Sequence, residues 1–189
     1  NIAANGVFME DEASRIIRRV LLATSFLHSR QIIHRDIKAG NVLLNDDAER
    51  PYLLADFGFS KQITPEDQAM SIAGTEEYMA PEIQQIAYRM SITENVIRNA
   101  GIMYGTTYNN KCDIWSIGIL AYHLVHGKVP FNTQKKNVAY QEMVNQTIRF
   151  GKGISEELKQ FVCACLNPLP DCRPEADELL GYTWITKYE

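Results

Sequence analysis

Apolar residues at Ala13, Ile16, Ile17, Val20, Leu21 and Leu27 recur at helical spacing and predict an amphipathic helix from about Glu12 to His28. Gln31 to Ile33, Val42 to Leu44 and Tyr52 to Ala55 are short apolar runs that read as strands. Asn45-Asp46-Asp47 and Pro51 punctuate the connection between the last two. From Asp56 to Glu82 the pattern loses its period, which predicts a long surface loop. Asp113 to His126 is apolar on every side and reads as a buried helix closed by Gly127 and Pro130. A further helix is expected over Gln134 to Thr147. Ser155 can cap another, whose Leu158, Phe161, Val162, Cys165 and Leu166 share one face. Pro174 suits the first turn of a last helix ending near Leu180. The pattern alone predicts an α+β fold, mainly helical, with short β hairpins.

Composition narrows the class. At 189 residues, with 46% hydrophobic and 22% charged positions, the chain fits one globular domain. A net charge of −4 without any basic run argues against nucleic acid as a partner. The longest apolar stretch, Ile114 to Val125, is broken by Ser116 and His123 and is too short to span a bilayer, so no membrane partner is expected. Cys112, Cys163, Cys165 and Cys172 form no C-x-x-C pair and no ligand-spaced set with the histidines. Reduced thiols and a start without a signal pattern point to a cytoplasmic setting, or a nuclear one.

The chemistry concentrates in His34-Arg35-Asp36-Ile37-Lys38-Ala39-Gly40-Asn41, followed by Asp56-Phe57-Gly58. These segments resemble the catalytic loop and the metal-binding triplet of eukaryotic protein kinases. Gly74-Thr75-Glu76-Glu77-Tyr78-Met79-Ala80-Pro81-Glu82, Asp113-Ile114-Trp115-Ser116-Ile117-Gly118, Pro130-Phe131 and Asp171-Cys172-Arg173-Pro174 fall in order where the family has its later landmarks, so the resemblance covers about Gly6 to Trp184. No Gly-x-Gly-x-x-Gly, no Val-Ala-Ile-Lys strand and no partner helix with a Glu precede the catalytic loop. The resemblance therefore implies a protein kinase-like fold represented by its C-terminal lobe only, with residues 1–189 as a partial kinase domain.

What the resemblance implies for the site is specific. Asp36 would orient the substrate hydroxyl and accept its proton, and Lys38 would touch the transferring phosphate. Asn41 and Asp56 would hold Mg2+, and Leu43 would floor the adenine of ATP. Thr75 would bond Asp36 and Lys38 and shape the hydroxyl pocket. His34 is structural and packs beneath Phe57, Glu82 and Arg173 form a buried ion pair, and Trp115 is core. Asp113 could be a plain helix N-cap; the resemblance adds that its carboxylate holds the catalytic-loop backbone. Arg35 would pair with a phosphate on Ser71, with Thr64 a second acceptor position.

Lys38 and Thr75 resemble serine/threonine rather than tyrosine kinases, which makes a protein Ser/Thr hydroxyl the expected acceptor. The segments His34 to Leu44 and Leu54 to Gly58 are most similar to germinal-centre-type kinases, from whose usual pattern Gly74 to Tyr78 departs. Two acidic positions that basophilic kinases use to bind substrate arginines fall at Gly40 and His123, which argues against a strong basic preference. Residues 87–108 exceed the family's usual length and could dock a partner or be a neutral insertion. The expected function is a Ser/Thr protein kinase, inactive as this chain alone. The alternative is a non-catalytic kinase-like C-lobe acting as a docking or regulatory module.

Overall fold

The computed structural model describes residues 2–48, 50–63, 73–87, 109–131 and 136–188. After a 3-10 turn at Ile2–Asn5, α1 runs over Glu10–His28. Its first turn carries Glu10, Asp11 and Glu12, charges that suit the N-terminal end of the helix dipole. Strands β1 (Ile32–Ile33), β2 (Val42–Leu44), β3 (Tyr52–Leu54) and β4 (Lys61–Gln62) follow. They form two antiparallel pairs, β1 with β4 and β2 with β3, with Leu43 opposite Leu53. A helical segment, α2, covers the described residues 81–87. Then come α3 (Lys111–His126), α4 (Lys136–Val144), α5 (Glu156–Cys165), α6 (Ala176–Leu180) and α7 (Thr183–Thr186).

The core lies between α1, α3, α5 and α6. Ala13, Ile16, Ile17, Val20 and Leu21 of α1 are all buried, as the helical spacing predicts. In α3 the residues from Ile114 to Tyr122 are buried without a break, so the helix is packed on every side. Gly127 ends it in the left-handed region at φ 67°, where the absence of a Cβ removes the steric cost. Gly118 lets α3 approach α5 closely: a Cβ there would sit 2.6 Å from the Cβ of Cys165. Ser155 caps α5 by accepting the Leu158 N–H at 3.2 Å. A single carboxylate, Glu10, rivets three helices by accepting from Ser155 N at 2.9 Å and from the Trp184 indole at 3.1 Å.

Several boundaries differ from expectation for local reasons. The segment after Asp56 is not one loop: β4 pairs with β1, and a 3-10 turn forms at Glu76–Tyr78 before α2. The last expected helix starts at Ala176, because Glu175 is its N-cap and closes a capping box with Glu178; Pro174 lies outside it. The helix expected over 134–147 is described over Lys136–Val144. Among the described residues no helix is long and apolar enough to cross a membrane.

Candidate active site

The loop between β1 and β2 is fixed from below by α3. Asp113, fully buried, accepts the backbone N–H of His34 at 2.9 Å and of Arg35 at 2.8 Å. It also lies 2.9 Å from Nε2 of His28, whose Nδ1 is 3.3 Å from the Asn110 amide. A buried carboxylate is tolerated when its lone pairs are filled in this way. Asn110 occupies the N-cap position of α3, so Asp113 serves the loop and not the cap. The loop turns sharply at Arg35, whose φ of 69° is a conformation that L side chains rarely adopt. His34 stands edge-on to Phe57 with ring centroids 5.1 Å apart. Its Nε2 is 3.1 Å from the Ala55 carbonyl, and its Nδ1 accepts the Asp36 N–H at 3.3 Å. These two contacts suit the neutral ring with the proton on Nε2.

Asp36 is the centre of the site. Only 2% of it is exposed, yet four donors converge on its carboxylate. Lys38 Nζ reaches Oδ2 at 2.8 Å and Asn41 Nδ2 reaches it at 3.0 Å. The hydroxyl and the backbone N–H of Thr75 reach Oδ1 at 2.7 and 2.9 Å. Lys38 also donates to the Thr75 hydroxyl at 2.8 Å, closing a triangle. Burial opposes ionisation of Asp36, but the hydrogen bonds from Lys38, Thr75 and Asn41 and the Lys38 charge outweigh it and hold the carboxyl below its ordinary value. The structure thus keeps a buried carboxylate charged and hydrogen-bonded at the end of a cleft that Gly74, Tyr78, Met79 and Ser116 also line.

Asn41 and Asp56 meet through the backbone. The Ala55 N–H donates to the Asn41 carbonyl at 2.8 Å, so Asp56 leaves the β2–β3 pair beside Asn41. Both amide contacts of Asn41 go to Asp36, one to its carbonyl at 2.8 Å and one to its carboxylate at 3.0 Å, which leaves Oδ1 for a cation. Asp56, exposed and at φ 63°, accepts only a 3.2 Å contact from the Gly58 N–H among the described residues. Two hard oxygen donors suit Mg2+, which takes the rest of its shell from phosphates and water. They do not make an all-protein metal cage, and among the described residues no group of three His, Cys, Asp or Glu side chains does. Leu43 is 40% exposed and its cross-strand partner Leu53 43%, a small apolar platform on the same face of the hairpin.

The Thr75 segment is seated by Gly74. At φ 110°, a Cβ on Gly74 would lie 2.3 Å from the Arg35 carbonyl oxygen, so only glycine allows this approach. Further along, Glu82 and Arg173 form a two-pronged ion pair at 2.7 and 2.8 Å, with Arg173 fully enclosed. Arg35 donates from Nε to the Phe59 carbonyl. Ser71, Thr64 and residues 88–108 lie outside the described residues. Three contacts of this neighbourhood escaped the sequence reading: His28 behind Asp113, Ser116 under the Tyr78 carbonyl at 2.9 Å, and His123 as the partner of the Tyr78 hydroxyl. Each joins positions 38 to 85 residues apart on different elements, and no local pattern in the sequence signals such a contact.

Known proteins are similar to this chain along its length. The chain is 32% identical over 190 residues to calcium/calmodulin-dependent protein kinase cmkA of Emericella nidulans, covering 97% of this chain and 41% of that protein. It is 30% identical to calcium-dependent protein kinase 5 of Plasmodium berghei, covering 100% of this chain and 31% of that protein. It is 36% identical to serine/threonine-protein kinase pakH of Dictyostelium discoideum, covering 94% of this chain and 31% of that protein. The chain thus spans less than half the length of these relatives. It matches the protein kinase domain as one continuous domain over residues 1–185. That match corrects the expectation of a C-terminal lobe alone, for the assignment and for the fold class: the kinase domain extends over nearly the whole chain, with helices and β pairs along it. The expectation leaned on missing short motifs, and a few absent residues delimit a domain less well than a match along its length. The chain belongs to the protein kinase domain family.

Proposed function

We propose that this protein is a serine/threonine protein kinase that moves the γ-phosphoryl group of ATP to a Ser or Thr hydroxyl of a protein substrate, with Mg2+ as cofactor. The observation that carries the reading is the buried Asp36 carboxylate, held charged by Lys38, Thr75 and Asn41. Phosphoryl transfer asks the protein for positioning and charge neutralisation rather than covalent chemistry. Asp36 orients the acceptor hydroxyl and takes its proton as the oxygen bonds to the γ-phosphorus and the bond to the ADP oxygen breaks. Lys38 offers its ammonium to the transferring phosphoryl oxygens. Asn41 and Asp56 would hold Mg2+, which neutralises phosphate charge when bound. Leu43 and Leu53 give the adenine an apolar surface. Thr75 narrows the acceptor pocket beside Asp36, which favours a short aliphatic hydroxyl.

Regulation belongs to the same reading. Arg35 sits next to the catalytic position, and a phosphate on Ser71 is its proposed partner. Residues 87–108 are a proposed docking segment for a protein partner. Free thiols at Cys112, Cys163, Cys165 and Cys172 suit a reducing compartment, and the cytoplasm is the proposed location.

The test is phosphate transfer from labelled ATP to a Ser/Thr peptide mixture by the full-length protein. Asp36→Asn should lower transfer by roughly 10²–10⁴-fold while leaving Mg-ATP binding in place. Asp56→Asn should weaken Mg-ATP binding as well. Undiminished transfer by Asp36→Asn would refute the assignment.

A further inference from the structure

The turn that sets Thr75 against Asp36 is held by α3 at two points. Ser116 donates to the Tyr78 carbonyl at 2.9 Å, and His123 Nδ1 lies 2.5 Å from the Tyr78 hydroxyl. Ser116 and His123 are two helical turns apart and leave α3 on one face. From Tyr78 the run continues inward. Its N–H donates to the Thr75 carbonyl at 2.9 Å, and the Thr75 N–H donates to Asp36 Oδ1 at 2.9 Å. Hydrogen bonds at Tyr78 and Thr75, linked through the covalent frame of one short turn, therefore join an imidazole on α3 to the carboxylate at the centre of the site.

The direction of the outermost bond is settled by chemistry. Burial raises the Tyr78 phenol to about 12, so it stays protonated and donates. An imidazole nitrogen can accept that proton only while the ring is neutral. Burial, the larger influence on His123, pushes it below its usual value and favours the neutral ring; the Glu77 carboxylate pulls the other way. Among the described residues Glu77 is the charged group facing His123, and it stands on the same turn as Tyr78, exposed to solvent.

We propose that His123 is a positioning residue for the phosphoacceptor pocket: as a neutral ring it accepts the Tyr78 hydroxyl and anchors the turn that holds Thr75 on Asp36, and on protonation it turns to Glu77 and releases that turn. The kinetic consequence rests on the proposed kinase activity; the structural consequence does not. Transfer to a peptide is full while the ring is neutral and falls as pH drops through the His123 value, which lies below 6.5. The Asp36 carboxyl is itself held below the ordinary carboxylate range, and His123→Asn, which keeps Asp36 and does not titrate, tells the two acid effects apart.

The test uses the full-length protein, with two readouts between about pH 5 and pH 8, the range in which a histidine titrates. One is kcat/KM for a Ser peptide alongside KM for ATP. The other is hydrogen exchange at the Thr75 and Tyr78 amides. His123→Leu removes the acceptor; His123→Asn restores a carbonyl acceptor near the Nδ1 position and does not titrate. The loss of this one hydrogen bond should lower peptide kcat/KM by about tenfold in His123→Leu at every pH, with KM for ATP unchanged. His123→Asn should regain most of the activity and lose the acid limb. In the same variants, Thr75 amide protection should be lost in His123→Leu, fall in acid in the wild type, and be independent of pH in His123→Asn. Protection unchanged in His123→Leu, or an acid loss that persists in His123→Asn, overturns the proposal. A wild type that transfers no more phosphate than Asp36→Asn would instead defeat the kinase reading, and the exchange result would still decide this one.

Discussion

Removing Glu82 strands a charge in the core, and the cost can be worked from the contacts. Arg173 is fully enclosed and uses its donors on Glu82 through both terminal nitrogens, on the Asn167 carbonyl at 2.8 Å and on the Lys111 carbonyl at 3.0 Å. Its guanidinium also lies over the Trp115 ring at 5.0 Å. Glu82→Ala leaves the carbonyl contacts intact but removes two charge-assisted bonds and the countercharge. Each such bond is worth about 1.5–3 kcal/mol, and a stranded buried charge costs roughly 3–5 kcal/mol in total. Glu82 is 20% exposed on its side chain, so water can enter the gap, which places the expectation at about 3 kcal/mol. Urea denaturation followed by tryptophan fluorescence reads it: at a slope of about 2 kcal/mol/M the midpoint should fall by roughly 1.5 M. In an Arg173→Met background the same change should cost less than about 1 kcal/mol, because no charge remains to strand. Equal losses in the two backgrounds would refute the reasoning.

Two further outcomes follow from the site. Gly74→Ala combines a left-handed backbone with a Cβ only 2.3 Å from the Arg35 carbonyl oxygen, so it should destabilise the protein by about 1–3 kcal/mol and lower phosphate transfer by at least tenfold, measured by urea denaturation and peptide kinetics. The depressed Asp36 carboxyl contributes stability that is complete above its ordinary value of 3.8 and is lost as pH falls through the lower native value. Asp36→Asn should therefore show a shallower acid loss than the wild type when denaturation midpoints are compared across that window.

The long periodic elements were legible from sequence because their burial is one-sided or complete. The face of α1 and the unbroken apolar run of α3 each announce their environment, and Ser155 announces the start of α5. The pair Lys61–Gln62 carries no apolar alternation at all; it becomes β4 only because β1 offers an edge to it. The four residues of α7 are too few to show a period, and they are held by Trp184 packing on Phe161 at 5.0 Å. At the site, the residues that form contiguous motifs could be named in advance, since Asp36, Lys38 and Asn41 lie within one short loop. Contacts such as His28 with Asp113 and Tyr78 with His123 join positions far apart in sequence with no shared pattern. The extent of the domain was misjudged, because short motifs were made to stand for a whole fold.

The Asp113 anchor has a consequence for how the chain comes off the ribosome. The His34 N–H finds its acceptor 79 residues further along. At a synthesis rate of about 5–20 residues per second, the loop that carries Asp36 waits roughly 4–16 s for the carboxylate that fixes it. During that interval its backbone donors turn to water, and the apolar face of α1 is without α3. The loop that carries Asp36 is thus made well before the carboxylate that gives it its final shape.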